Sequence, residues 1–414
     1  MTNRGVYIAS AVRTPIGKFG GGLADLSASD LGVIAVREAM RRAFGSAPVE
    51  RTPGDRTRTD SASLPCPVNE LILGNARPAG VGPNVARQVA WRSGLGDDVP
   101  AFSVNMACAS GIRAILLGWQ QIVLGNAEVI VAGGSESMSR VPYLLDARWG
   151  MRMGHQQLTD AMYRDGFLCP ISQMIMGETA ELLAQEYKIS RAEQDEFALE
   201  SHRRAARAME SCRFSEEIIA VEKTDAKGRA TRVEKDEHVR LDVTLEALGK
   251  LPAVFAKDGT ITAGNASGIT DAASAVVLVS EDRLKSLAGT PLARIVDAQV
   301  AAVEPHRMGI APVPACRKLE ARTGWKIGDY AAVELNEAFA AQVLACDREL
   351  HFDRARLNPN GGAIALGHPI GATGARIVTS LVHELRRQTN GTRRGLATLC
   401  VSGGLGVALA LEAA

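Results

Sequence analysis

The sequence predicts an α/β protein made of two related halves, with a helix-rich segment inserted late in the first. Three observations lead there. Short apolar runs of strand length alternate with amphipathic helical patterns. The order of those runs begins again near Arg294, and between residues 140 and 267 the rhythm breaks into helices and loops. With 414 residues, 46% hydrophobic content, 41 glycines and few aromatics, the chain is long enough for two or three domains. Its small residues allow helices to lie close on a sheet.

Taken in order, residues 6–11 (VYIASA) read as a buried strand, and Ser29 or Asp30 is placed to cap a helix reaching Phe44. Residues 46–67 switch to Arg, Asp, Ser, Thr and four prolines, the composition of a mobile surface insertion; Cys66 lies in it and is discounted as a catalyst. Strand patterns resume at 70–74 and 101–105, with a helix at 85–93 between them. Cys108 then stands where the strand gives way to a helix at 111–124. A helix N-terminus favours a thiolate and lowers a thiol from its free value of about 8.5, whereas a buried structural cysteine is the commoner fate. A strand follows at 128–133, and in the inserted segment a helix opens near Gly177 and a capping box, Ser190 with Glu193, starts the next. The charged run 223–240, with Lys227 and Arg240 among its basic residues, reads first as a solvated face.

The second half repeats the pattern: a strand at 275–279 closes the first half, a new opening strand lies at 294–298, and a helix at 313–321 follows. Next come a strand at 332–336 and a helix at 338–345. The stretch 358–376, NPNGGAIALGHPIGATGAR, is a glycine-rich loop carrying His368 into a helix at 373–385, with Ile377, Leu381, Val382 and Leu385 facing inward. Strands at 395–400 and 407–411 end the chain. Cys108, its helix and EVIVAGGSES match His368, its helix and GLATLCVSGGLG; AASAVVLVSE matches GVALALEA. Such a duplication places corresponding loops on a shared face, so Cys108, His368 and Cys400 are expected to meet.

A net charge of +1 gives no global field for nucleic acid. Seven cysteines without a Cys-x-x-Cys pair fit neither a disulfide framework nor a zinc site, which points to a reducing cytoplasm. No leader precedes the first strand pattern. The most apolar stretch, 114–134, is interrupted by Gln120, Gln121, Asn126 and Glu128, as a helix and a strand rather than a membrane span.

Taken together, SAVRTPIGKFGG (10–21), CASG at Cys108, AGGSESMS (132–139), MGETAE (176–181), TAGNASGITD (262–271), NEAF (336–339), GGAIALGHPIGATGAR and CVSGGLG resemble the thiolase family, especially its acetyl-CoA acetyltransferases. The resemblance spans nearly the whole chain outside 46–67. It implies two βαβαβαββ halves in a five-layered α-β-α-β-α fold, residues 1–139 with 268–290 and residues 291–414, plus a loop domain, 140–267, that covers coenzyme A. It also implies Cys108 as the nucleophile that takes the acyl group, His368 as its base, and Cys400 as the acid/base at the α-carbon of the second acetyl group. Asn336 would hold a water that forms one oxyanion hole with His368; the backbone N–H groups of Cys108 and Ser402 would form the other. Coenzyme A would meet Arg240 at its adenine end, Ser267 and Ala263 along the pantetheine arm, and Met176 and Phe167 on the apolar side. The basic run 223–240 becomes a phosphate patch on this reading.

The implied substrates are acetyl-CoA, acetoacetyl-CoA or another 3-ketoacyl-CoA, and CoA, with no cofactor or metal, no nucleic-acid or membrane partner, and a homodimer or homotetramer. A bond between two acyl carbons needs a soft nucleophile that also leaves well, which a thiol satisfies. Ile175 stands where acetoacetyl-specific members often carry a histidine, which keeps a longer-chain 3-ketoacyl-CoA thiolase as the alternative, and Ser402 replaces a common glycine but keeps its N–H. A decarboxylating or carrier-dependent condensing enzyme typically relies on one cysteine with two histidines, against which Asn336 and Cys400 argue. A scaffold without activity is the remaining alternative.

Overall fold

The computed structural model describes residues 4–60, 67–224, 228–388 and 393–414; Cys66 and Lys227 lie outside them. The first half runs β1 (Val6–Arg13), α1 (Ala28–Phe44), β2 (Glu70–Gly74), α2 (Val85–Arg92), β3 (Ala101–Val104), α3 (Ser110–Val123) and β4 (Val129–Ser137), and closes with β5 (Thr270–Ser280). The second runs β6 (Ala293–Ala302), α6 (Pro312–Thr323), β7 (Ala332–Leu335), α7 (Ala340–Leu350), α8 (Ile370–Arg387), β8 (Arg394–Val401) and β9 (Leu405–Ala413). Between β4 and β5 lie α4 (Met176–Glu186), α5 (Arg191–Glu210) and a hairpin of Val221–Thr224 with Val233–Ala230.

Strands pair in the order β3-β2-β4-β5-β1 in the first half and β7-β8-β9-β6 in the second, with β1 and β6 touching through Tyr7–Arg294 and Ile8–Ala293. In each half the helix-linked inner strands are parallel and the closing pair is antiparallel. The second half has no full counterpart of β3, but Leu357 bridges Val333 in parallel at that place. The repeat read from the motifs is therefore a repeat of topology.

Side-chain alternation along the strands sorts the cores. Val129, Val131 and Val277 face α1 and α2, packed on Leu31, Met40 and Val89. Their neighbours Ile130 and Leu278 face inward on Ile112 and Ile115 of α3 and Ile377 and Leu381 of α8, which also carry Leu399 and Leu409. On the far side Val333, Leu396 and Ala410 pack on Val313 and Leu319 of α6 and Val343 of α7. Three cores between alternating layers make the α-β-α-β-α order. In the central layer α3 and α8 cross backbone to backbone: a Cβ on Gly374 would lie 2.4 Å from the Ile112 nitrogen. That crossing sets the two helix N-termini at the same end.

Several expectations change. The cap of α1 is Ser27, two residues earlier than Ser29, because Ser27 and Asp30 form a reciprocal capping box. Helix α8 begins at Ile370 and is buried on nearly every side rather than on one stripe, because both sheets and α3 surround it. Its polar residues find partners: Arg376 pairs with Glu334 at 3.1 Å, and His383 Nε2 lies 2.9 Å from the Ala11 carbonyl. The described part of the 46–67 insertion is anchored, since the Arg51 guanidinium lies 4.0 Å over the Trp91 ring and 2.6 Å from Asp97. The run 223–240 is partly neutralised within the chain, with Lys223 paired to Asp25, Arg232 to Glu234, and Asp236 buried in a bidentate pair with Arg13. Among the described residues no helix is long and apolar enough to cross a membrane.

Candidate active site

Cys108 sits on a tight turn after β3. Ala107 takes φ +43°, a region a residue with a Cβ adopts only when its surroundings impose it, and here Asn105 Oδ1 accepts the Ala107 N–H at 2.9 Å. Ser110 Oγ accepts from Met106 N at 2.9 Å and donates to the Ala107 carbonyl at 2.7 Å, closing the turn. The turn thereby holds Cys108 out of the helix, the residue partly exposed but its thiol desolvated within the cavity.

His368 ends the glycine-rich loop opposite, its own N–H donating to the Gly268 carbonyl at 3.0 Å. Thr373 gives its hydroxyl proton to the Pro369 carbonyl at 2.9 Å, so it accepts from His368 Nδ1–H at 2.6 Å. Nε2 is left with its lone pair, buried and, among the described residues, without a partner. That tautomer is the one a base needs. Burial, then Arg376 and Arg77, push the imidazole down to about 3, so it rests neutral.

Cys108, His368, Cys400 and Ser402 line one cavity of about 430 Å³, together with Ser267, Ala263, Met176 and Phe167. The Cys108 sulfur faces the backbone N–H groups of Ser402 and of Cys108 itself. Burial nevertheless pushes the Cys108 thiol up, overriding Arg77 and those N–H groups, so the thiolate expected from the helix N-terminus is not the resting form. Burial, with Cys108 nearby, raises the Cys400 thiol well above its ordinary value. Asn336 is fully buried just past the end of β7 and is not among the residues that line this cavity; among the described residues neither its amide oxygen nor its nitrogen has a partner. Arg240 is exposed and outside the cavity lining, its N–H bonded to His202 Nδ1 at 3.1 Å.

Residues 59–282 match the description "Thiolase, N-terminal domain" and residues 289–413 "Thiolase, C-terminal domain". The chain belongs to the thiolase family. It is 43% identical over the full length of both chains to an acetyl-CoA acetyltransferase of Rhizobium meliloti (strain 1021), and 46% identical over 98% of both to one of Pseudomonas aeruginosa. Among solved structures, this thiolase superposes on the Bacillus anthracis acetyl-CoA acetyltransferase with a TM-score of 0.91 at 43% identity, covering 99% of each chain. The human mitochondrial 3-ketoacyl-CoA thiolase in complex with CoA gives 0.89 at 40% identity, covering 99% of this chain and 98% of that one.

The thiolase site also contains residues that sequence reasoning left without a role. The buried Glu136 carboxylate accepts from Asn75 Nδ2 at 2.8 Å, Ala76 N at 2.9 Å, Arg77 N at 3.2 Å and Gly371 N at 2.8 Å, tying the loop after β2 to the start of α8. Glu337 accepts from Asn358 Nδ2 at 2.8 Å, Ser201 Oγ at 2.7 Å and Ile364 N at 3.2 Å, tying the end of β7 to the His368 loop and to α5. A carboxylate at the end of an apolar strand was the visible signal in both AGGSES and AVELNEAF. Thr373, five residues after His368, and Arg77 carried no such signal.

Proposed function

We propose that this thiolase transfers acyl groups between acyl-CoA and acetyl-CoA by Claisen condensation or its reverse, thiolysis, with 2 acetyl-CoA giving acetoacetyl-CoA and CoA. The observation that carries the reading is one cavity lined by two thiols and a neutral imidazole whose Nε2 lone pair is free. Cys108 attacks the first acetyl carbonyl as its proton passes to His368 Nε2, the departing CoA thiolate takes the proton of Cys400, and acetyl-Cys108 remains. The Cys400 thiolate then removes the α-proton of a second acetyl-CoA, and the enolate carbon attacks the acetyl carbonyl. Cys108 leaves and recovers its proton from His368. The burial that raises the Cys400 thiol makes its thiolate a strong base for a weakly acidic carbon.

The backbone N–H groups of Cys108 and Ser402 would hold the tetrahedral oxyanion, and His368 with a water on Asn336 the enolate oxygen. Losing one such donor typically costs about 3–4 kcal/mol of barrier. Ser267 and Ala263 would follow the pantetheine arm along Met176 and Phe167, with Arg240 toward the adenine end. A thiolysis assay across 3-ketoacyl-CoA lengths is the test. Cleavage of acetoacetyl-CoA to acetyl-CoA is expected, and absence of cleavage at every length would overturn the reading. A maximum at longer chains would favour the degradative alternative, for which Ile175 in the cavity lining is the supporting observation.

We further infer a homodimer or homotetramer acting in the cytoplasm, within fatty acid metabolism. The support is the open edge of β3, where Phe102 is exposed, and the exposed apolar side chains Tyr143, Leu145, Trp149, Met153 and Leu158 in the inserted segment. Light scattering is expected to give a multiple of the chain mass; a monomer at micromolar concentration refutes the assembly.

A further inference from the structure

Arg77 is 5% exposed and lines the cavity that holds Cys108 and His368. A buried guanidinium is costly unless paired. Among the described residues it makes no ion pair: Nη1 donates to the Ala76 carbonyl at 3.0 Å, and Nε has no partner. Glu136 interacts with it through space, but that carboxylate already accepts from Asn75 and the backbone N–H groups of Ala76, Arg77 and Gly371. The guanidinium lies flat against the backbone of Gly166, where a Cβ would come 2.7 Å from both Nε and Nη2. A side chain at 166 would force the guanidinium to shift from this position.

The chemistry of the surroundings defines what Arg77 is there to meet. Among the described residues Arg77 is the one lysine or arginine lining the cavity, and Met138, Phe167, Ile269 and Ile370 of that lining pack with Cys108 in one apolar cluster. Ala76, its neighbour in the chain, belongs to that same cluster, which places Arg77 on the Cys108 side of the cavity, whereas Arg240 lies outside the lining; its charge acts through space on both Cys108 and His368. A planar guanidinium with an unfilled donor in an apolar wall matches a carboxylate.

We propose that Arg77 is a specificity-determining residue that binds a carboxylate at the far end of the acyl chain, so that this enzyme takes 3-ketoacyl-CoA thioesters of dicarboxylic acids in preference to plain fatty acyl ones. The inference rests on the thiolase reading above and deepens it. An apolar wall discriminates weakly between chain ends, whereas a buried donor left unpaired penalises the substrate that lacks the acceptor.

The experiment compares thiolysis of two 3-ketoacyl-CoA thioesters of six acyl carbons, one ending in a carboxylate and the other in a methyl group, with acetoacetyl-CoA alongside. In the wild type kcat/KM is expected to favour the carboxylate-ended thioester by roughly 10- to 100-fold, the scale of a hydrogen bond to a charged group. Arg77→Leu is expected to abolish or invert that ratio, with the change carried mainly by KM, and Arg77→Lys to restore part of it. The wild-type ratio needs no variant, so a poorly folding Arg77→Leu leaves the test intact. A wild-type ratio near one, or a ratio unmoved by Arg77→Leu, overturns the inference while acetoacetyl-CoA cleavage leaves the thiolase reading standing. No turnover of any of the three thioesters overturns both.

Discussion

Cys108→Ala forms no covalent acetyl adduct with acetyl-CoA and loses both condensation and thiolysis by roughly 10⁴-fold or more, the scale seen when a covalent nucleophile is removed. The substitution removes one sulfur from a partly exposed turn that is held by Asn105 and Ser110 rather than by the thiol, so the thermal midpoint is expected to stay close to that of the wild type. Intact-mass measurement after acetyl-CoA, followed by peptide mapping, gives the result directly. The wild type gains one acetyl group on Cys108. An adduct on another residue, or turnover by the alanine variant at a comparable rate, removes Cys108 from the proposed role.

Cys400→Ala separates the two half-reactions. Acetyl-Cys108 still forms, because CoA thiolate leaves without strong help and His368 still takes the Cys108 proton. Condensation is expected to stop, because at that stage Cys108 is acetylated and His368 already holds its proton; a positioned acid/base is worth roughly 10²–10⁴ in rate. Cys400 is 1% exposed in the strand β8, and exchanging it for the slightly smaller alanine costs about 1 kcal/mol of stability through the small cavity left behind. The check is a pair of measurements on one preparation: the adduct by mass, and acetoacetyl-CoA by absorbance. Acetoacetyl-CoA produced at the wild-type rate would show that Cys400 is not the base.

Much of the fold was legible because its signals are local. Short apolar runs marked β1, β4 and β5, the Ser190–Glu193 box marked α5, and the recurrence of strand, helix and loop marked the duplication. For the proposed site, Cys108 and His368 stand out locally by their places on loops that lead into helices, whereas the roles given to Asn336 and Cys400 come from the resemblance of their motifs to the thiolase family. Other features were not legible. Helix α8 reads as amphipathic, yet its polar side is buried, since burial there comes from strands of the first half of the chain, such as β4 and β5 at its other face. The anchoring of the 46–67 insertion depends on Arg51 meeting Trp91 and Asp97, a pairing of residues from separate elements that composition does not express.

The ionisation of the site belongs to the tertiary structure as well. From its place before a helix, Cys108 reads as a thiol biased toward thiolate; enclosed in the cavity, it is pushed the other way, because loss of water penalises the charged form more than the neighbouring N–H groups stabilise it. The sequence by itself determined the residue types and the repeated order of elements that brings two loops to one end of the molecule. Only the tertiary structure decided which tautomer His368 holds, through Thr373, and that Arg77 is buried in the lining of the cavity that holds Cys108, with no ion pair among the described residues. Those outcomes depend on distances and dielectric surroundings set jointly by elements remote in the chain, and no local pattern of residues encodes them.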